Sequence, residues 1–150
     1  MQNLLVRNCS LYDLNAILKI EEESFPDSWK RELLEKELSL PFSLFLVAEL
    51  RGKIVGYLTA WIIGEVCELN KIAVASRLRG RRIGEKLLKE LINECQERKV
   101  KEIFLEVRES NFSAIKLYER VGFERISLRE GYYGCENAVV YKLNLGGKYA

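Results

Sequence analysis

Apolar and polar positions recur along this chain in two rhythms, and the switches between them mark its elements. Leu11, Leu14, Ile17 and Leu18 fall at helical spacing beside Ser10 and Asp13, a pair that resembles a capping box. The spacing predicts a first helix ending near Ser24. Pro26 with Asp27-Ser28 reads as the start of a second, with Leu33, Leu34 and Leu38 on one side and Pro41 as its stop. The rhythm then shortens. Phe45 to Leu50 and Ile54 to Ile63, joined by Arg51-Gly52-Lys53, predict a β-hairpin. Val66 to Val74 follows a Gly64-Glu65 turn as another strand. Past a loop rich in arginine and glycine, Ile83, Leu87, Leu88, Leu91, Ile92 and Cys95 share one helical face. Val100 to Arg108 predicts a strand, and a strand, a helix and a strand suggest parallel pairing through a crossover. Asn111 or Ser113 caps a short helix with Ala114, Ile115, Leu117, Tyr118 and Val121, which Gly122 stops. Phe123 to Leu128 and Ala138 to Leu145 predict two last strands around a loop containing Tyr132 and Tyr133. Residues 145–150 are expected to form a flexible tail. The order describes one mixed α/β domain over residues 1–150.

Composition narrows the chemistry. A chain of 150 residues, 48% hydrophobic, can bury a real core. No apolar run approaches the roughly 20 residues that cross a bilayer. The start, Met1 to Arg7, lacks the pattern of a secretory signal, so a cytoplasmic address and no membrane partner are expected. Cys9, Cys67, Cys95 and Cys135 are scattered without a CxxC pair, which reads as free, mostly buried thiols and no metal site. The chain has no histidine, so acid–base work falls to carboxylate, tyrosine, lysine, thiol or water. Net charge is only +2, which argues against direct nucleic-acid binding, yet Arg77, Arg79, Arg81 and Arg82 crowd one loop.

That loop carries the most information. Strand Lys71-Ile72-Ala73-Val74, then Arg79-Gly80-Arg81-Arg82-Ile83-Gly84, then a long helix would aim backbone N–H groups at one place, beside the positive end of the helix dipole. Such a turn suits a diphosphate. It is neither GxGxxG nor a Walker loop. It resembles the signature of the GNAT-type N-acetyltransferases: arginine or glutamine, two residues, glycine, one residue, then glycine or alanine. That frame falls on Arg79, Arg82 and Gly84, with Arg82 standing where the family usually has glycine. Leu105-Glu106-Val107-Arg108-Glu109-Ser110-Asn111, Ala114 to Glu119 and Gly122-Phe123 are similar to the segment that completes the family's cofactor site. Phe25-Pro26, Ile72-Ala73-Val74 and Tyr132-Tyr133 with Glu136-Asn137-Ala138 extend the likeness over nearly the whole chain. It most resembles the subgroup that acetylates the N-terminal alanine of a small-subunit ribosomal protein, the RimI-like enzymes. Lys71 and Asn137 depart from that subgroup, where asparagine and aspartate are usual.

The resemblance implies a GNAT fold: a mostly antiparallel twisted sheet with a parallel pair at a splayed centre, flanked by about four helices. It implies acetyl-CoA as cosubstrate and a peptide or protein N-terminus as acceptor, possibly that of a ribosomal protein. A lysine, polyamine or other small amine is the alternative acceptor, and a non-catalytic RNA- or ribosome-binding domain is the competing class.

Strand alternation puts Phe104, Glu106 and Arg108 on one face. A carboxylate in an otherwise apolar strand is partly desolvated and so a stronger base. Glu106 is therefore the candidate base, directly or through water, or else a partner of Arg108 or a lysine. Tyr118 is the candidate acid for the leaving thiolate, and the resemblance turns it toward the cofactor sulfur; otherwise it is a core tyrosine. Ile72, Ala73 and Val74 are expected to pair with the cofactor's amide arm, a backbone N–H near Val74 polarising the acetyl carbonyl. Arg79 to Gly84 are expected to hold the diphosphate. Asn111 either bonds the pantetheine or caps its helix. Glu68, Tyr132 and Tyr133 are the acceptor-side candidates; Glu68 attracts the ammonium or is a solvent-facing strand carboxylate.

Overall fold

The computed structural model describes residues 3–80 and 82–146, arranged around a seven-stranded sheet. Along the chain run β1 (Leu4–Asn8), α1 (Leu14–Ser24), α2 (Arg31–Ser39), β2 (Ser43–Leu50), β3 (Lys53–Ile63) and β4 (Val66–Val74). Then come α3 (Ile83–Glu97), β5 (Glu102–Arg108), α4 (Phe112–Val121), β6 (Glu124–Arg129) and β7 (Ala138–Asn144). In space the strands lie in the order β1-β2-β3-β4-β5-β7-β6. Neighbours are antiparallel except β4 and β5, which run parallel on either side of the α3 crossover. This is the expected mixed layout: a mostly antiparallel sheet, one parallel pair and four α-helices among the described residues.

Helices cover both faces of the sheet. Leu44, Leu46, Ala48 and Leu58 pack with Ile83, Leu87, Leu88, Leu91 and Cys95 of α3. Phe45, Val47 and Tyr57 point the other way, onto Leu14, Ile17 and Ile20 of α1 and Leu34 of α2. Two-sided burial explains why β2 reads as a continuous apolar run. Among the described residues no helix is long and apolar enough to cross a membrane.

One irregularity shapes everything that follows. Lys71 pairs with Thr59 and Leu69 with Ala60, so Asn70 is an extra residue in β4, a bulge that bends the strand. β4 and β5 stay paired from Val66↔Glu102 to Leu69↔Leu105, and there the pairing stops. Beyond it Lys71–Val74 faces Glu106–Arg108 across a gap. Gly56 in β3 lets α3 settle close to this region. A Cβ there would stand 3.0 Å from Ala73 O and 3.3 and 3.4 Å from Leu87 and Ile83 side chains.

The structure departs from the sequence reading at three places. β1 was not foreseen; it pairs with β2 from Leu4↔Leu50 to Asn8↔Leu46. The second helix begins at Arg31, not beside Pro26, because Trp29 N–H donates to Glu21 Oε1 (2.7 Å) and holds the segment extended. Leu145 is buried, and Leu145 and Gly146 both donate backbone bonds to Lys101 O (2.7 and 3.0 Å), so the chain is packed where the tail was expected to begin. Residues 147–150 lie outside the described residues. All four cysteines are free thiols; Cys67 and Cys95 are buried, but Cys135 is exposed.

Candidate active site

The gap between β4 and β5 joins two depressions. The first, about 500 Å³, lies over the start of α3 and is lined by Ile72, Ala73, Val74, Arg79, Gly80, Arg82, Ile83, Gly84 and Asn111. These are the residues singled out for the cofactor, apart from Arg81, which lies outside the described residues, and Tyr118. Lys116 and Arg120 of α4, which the sequence reading did not single out, line it too. Four cations thus face the cleft among the described residues, against the carboxylate of Glu85.

Local conformation explains the loop. Gly80 and Arg82 both adopt left-handed backbone, with φ of 84° and 63°. A non-glycine residue there costs about 1–2 kcal/mol, which is why glycine is usual at the position Arg82 occupies. Arg82 precedes the first turn of α3, whose N–H groups have no partners within the helix and face the cleft with the positive dipole end. Arg79 works inside the framework: Nε donates to Val74 O (3.2 Å) and Nη2 to Ser24 Oγ (2.9 Å), tying the loop to β4 and α1. Glu85 accepts from Arg120 Nε (2.7 Å) and pairs with Lys89 (3.3 Å) and Arg82 (3.2 Å), which holds its carboxyl below the ordinary range. Asn111 caps α4, its Oδ1 accepting from Ala114 N–H (3.3 Å), and still lines the cleft.

The second depression, about 970 Å³, opens on the other side of the gap and shares Ile72, Asn111, Ala114, Ser24 and Phe25 with the first. Glu68, Glu106, Tyr118, Tyr132 and Tyr133 all line it. Its ionisable walls are Asp27, Glu37, Glu68 and Glu106 against Lys71 and Arg108, an acidic excess that suits an amine.

Glu106 is half-buried and ion-paired, but with Arg129 of β6 rather than with Arg108 or a lysine. Arg108 is engaged elsewhere: it pairs with Glu136 (3.5 Å) and lies 4.1 Å from the Tyr133 ring centroid. Tyr118 is buried, its ring packed against Phe123 and Tyr141 with centroids 5.9 and 6.4 Å away. The core-tyrosine reading of it holds, and the same side chain also lines the groove. Burial, with a smaller push from Tyr133, raises its pKa well above the usual phenol value, so it keeps its proton at neutral pH. Glu68 is exposed on β4. Tyr132 and Tyr133 pack edge to face at 5.0 Å, and Glu106's charge raises the Tyr132 pKa.

In the wall opposite β5, sequence reasoning missed the buried anchor, Glu21. Glu21 of α1 is fully buried; it accepts from Lys71 Nζ (2.8 and 3.1 Å), Trp29 N–H and the Tyr57 hydroxyl. The Lys71 ammonium also sits 4.1 and 4.3 Å from the Phe25 and Trp29 ring centroids. Burial lowers the Lys71 pKa despite that pairing. Its departure from the subgroup's asparagine was visible in the sequence; its partner, fifty positions away, was not.

Comparison with known proteins agrees with this geometry. The model of the acetyltransferase (GNAT) family matches residues 14–123. The N-alpha-acetyltransferase RimI of Mycobacterium tuberculosis is 32% identical over 137 residues, covering 87% of this chain and 85% of that protein. The ribosomal protein bS18-alanine N-acetyltransferase of Escherichia coli K12 is 30% identical over 135 residues, covering 87% and 90%. A crystal structure of the E. coli ribosomal-protein-S18-alanine N-acetyltransferase superposes with a TM-score of 0.87 at 28% identity, covering 94% and 93%.

Proposed function

Since the chain belongs to the acetyltransferase (GNAT) family and is therefore an acyltransferase using acetyl-CoA, we propose that it acetylates the N-terminal α-amine of a protein. The names of its relatives point to a ribosomal protein, with alanine first, as that acceptor. One observation carries the reading: a cation-lined cleft at a helix N-terminus runs, through a gap in the sheet, into an acid-lined groove holding a carboxylate and a protonated phenol.

In this reading residues 1–150 form a single catalytic domain. The diphosphate sits on the N–H groups at the start of α3, steadied by the loop through Arg82 and Gly84. The amide arm lies along Ile72–Val74 as an added strand. A backbone N–H near Val74 polarises the acetyl carbonyl. The acceptor amine, bound against Glu68, Tyr132 and Tyr133, gives its proton to Glu106, directly or through water, and attacks the carbonyl carbon. The C–S bond then breaks, and Tyr118 protonates the departing thiolate. An α-amine, with an ordinary pKa of about 7.7–8.0, needs far less help to lose its proton than a lysine at about 10.4. The absence of histidine leaves the cysteines without the usual activating base, which favours direct attack over an acyl-enzyme.

Thiol release from acetyl-CoA, followed with peptides bearing free or blocked N-termini, tests the acceptor. Free N-termini should react, and blocked peptides carrying lysine should be poor. Equal rates for the two would move the assignment to the side-chain amine. Glu106→Gln and Tyr118→Phe should each lower turnover by about 10²–10⁴-fold with coenzyme A affinity nearly intact. Full turnover in both variants would overturn the acid–base pair.

A further inference from the structure

The reaction just described makes no use of Arg129, yet its guanidinium is the cation that Glu106 holds. Arg129 ends β6, an edge strand whose residues are all exposed, and it reaches Glu106 past β7, which separates β6 from β5. The guanidinium lies 4.3 Å from the Tyr132 ring centroid, in the loop that lines the acceptor groove. Arg108, nearer in sequence and on the same strand as Glu106, is committed to Glu136 and Tyr133.

An acceptor enters as an ammonium ion at neutral pH, and it must surrender its proton to Glu106. It therefore seeks the carboxylate that Arg129 already engages. A guanidinium and an ammonium compete for the one carboxylate: Arg129 engages it through Nη1 on Oε1, and its half-exposed side chain has room to leave. We propose that Arg129 is an internal competitor for Glu106: its guanidinium occupies the seat that the acceptor's ammonium takes, and so sets how tightly acceptors bind. The inference rests on the reading of Glu106 as base. Arg129 acts through Glu106 and touches no reacting atom, which makes it a specificity-determining residue rather than a catalytic one. Amines that pair with a carboxylate weakly, such as bulky or N-alkylated ones, would be excluded most strongly.

The test is initial-rate kinetics with varied peptide at saturating acetyl-CoA, for the unchanged protein, Arg129→Met, Arg129→Lys and Glu106→Gln. Methionine keeps a flexible stem beside Tyr132 and removes the charge. An exposed ion pair shifts an equilibrium by roughly two- to five-fold, so Arg129→Met should lower the peptide KM by about that factor, with the gain in KM and not in kcat. The gain should shrink at high salt, which screens such a pair. Arg129→Lys should restore the original KM. With Glu106→Gln already present, Arg129→Met should leave peptide affinity, measured by calorimetry beside coenzyme A, unchanged. A peptide KM that stays the same or rises in Arg129→Met overturns the competition, a rise meaning that Arg129 supports the loop instead. Full turnover in Glu106→Gln removes the base assignment and this inference together. Lost turnover there, with KM unmoved in Arg129→Met, removes the inference alone.

Discussion

Replacing Lys71 with methionine isolates its ion pair with Glu21 beside the second depression. Glu21 has no exposed surface, whereas the Lys71 side chain is 14% exposed. In Lys71→Met the buried carboxylate keeps the Trp29 N–H and the Tyr57 hydroxyl but loses its only cationic partner among the described contacts. Removing one member of a buried pair costs about 3–5 kcal/mol, nearly all of it through the charge left behind. Burial pushes the Lys71 pKa down against the pull of Glu21, so removing the lysine recovers part of that cost. Lost cation–π contact with Phe25 and Trp29 adds about 0.5–1 kcal/mol. The lower end of the range, about 3 kcal/mol, is therefore expected. For a chain of this size that is a fall in Tm of about 6–12 °C. Urea unfolding at pH 7 reads it as a shift in midpoint at constant slope. Glu21→Gln with Lys71→Met should cost less than the two singles summed, because the neutral amide keeps hydrogen bonds without a stranded charge. A Lys71→Met cost below about 1 kcal/mol, or single effects that simply add, would refute the argument.

Gly56→Ala should destabilise by about 1–3 kcal/mol, since its methyl meets the Ala73 carbonyl at 3.0 Å, and calorimetry should find coenzyme A binding weakened as the β4 edge shifts. In Arg82→Gly, relief of about 1–2 kcal/mol of left-handed strain is offset by glycine's greater chain entropy, leaving unfolding free energy within about 1 kcal/mol of the original. The same variant should bind coenzyme A about five-fold more weakly for want of the guanidinium. Arg7 is bonded to Asp13 at 2.9 and 3.0 Å and, with Ser10, holds its carboxyl below the ordinary value of 3.8. The stability this contributes is present above that value and lost as pH falls through the lowered one. Acid unfolding should therefore be steeper for the unchanged protein than for Asp13→Asn.

How much of this could be read from the chain depends on how far apart the interacting residues lie. The β2–β3 hairpin, β4, α3 and β5 announce themselves because period, turn residues and length coincide locally. β1 offers only Leu4 and Val6 as inward positions, and its existence depends on an edge some forty residues away. Pro26-Asp27-Ser28 looks like a helix start, but a single tertiary bond from Trp29 to Glu21 delays α2 to Arg31. The residues expected at the phosphate share one loop, and those described all line the first cleft. Lys116 and Arg120 fall four apart on α4, a spacing that could have exposed them as a cationic stripe. Glu106 with Arg129, and Lys71 with Glu21, could not be paired beforehand, because each depends on which elements the sheet and α1 bring side by side.

The parting of β4 from β5 after four matched residues has a bearing on descent. A cosubstrate docked on exposed peptide groups, as proposed above, asks little of the side chains around it, since every amino acid except proline offers the same donor and acceptor. Substitutions can then accumulate over most of the surface, and the E. coli relative is 30% identical to this chain. If Arg129 tunes the acceptor as proposed above, acceptor preference rests on a side chain and is left free to diverge on its own clock.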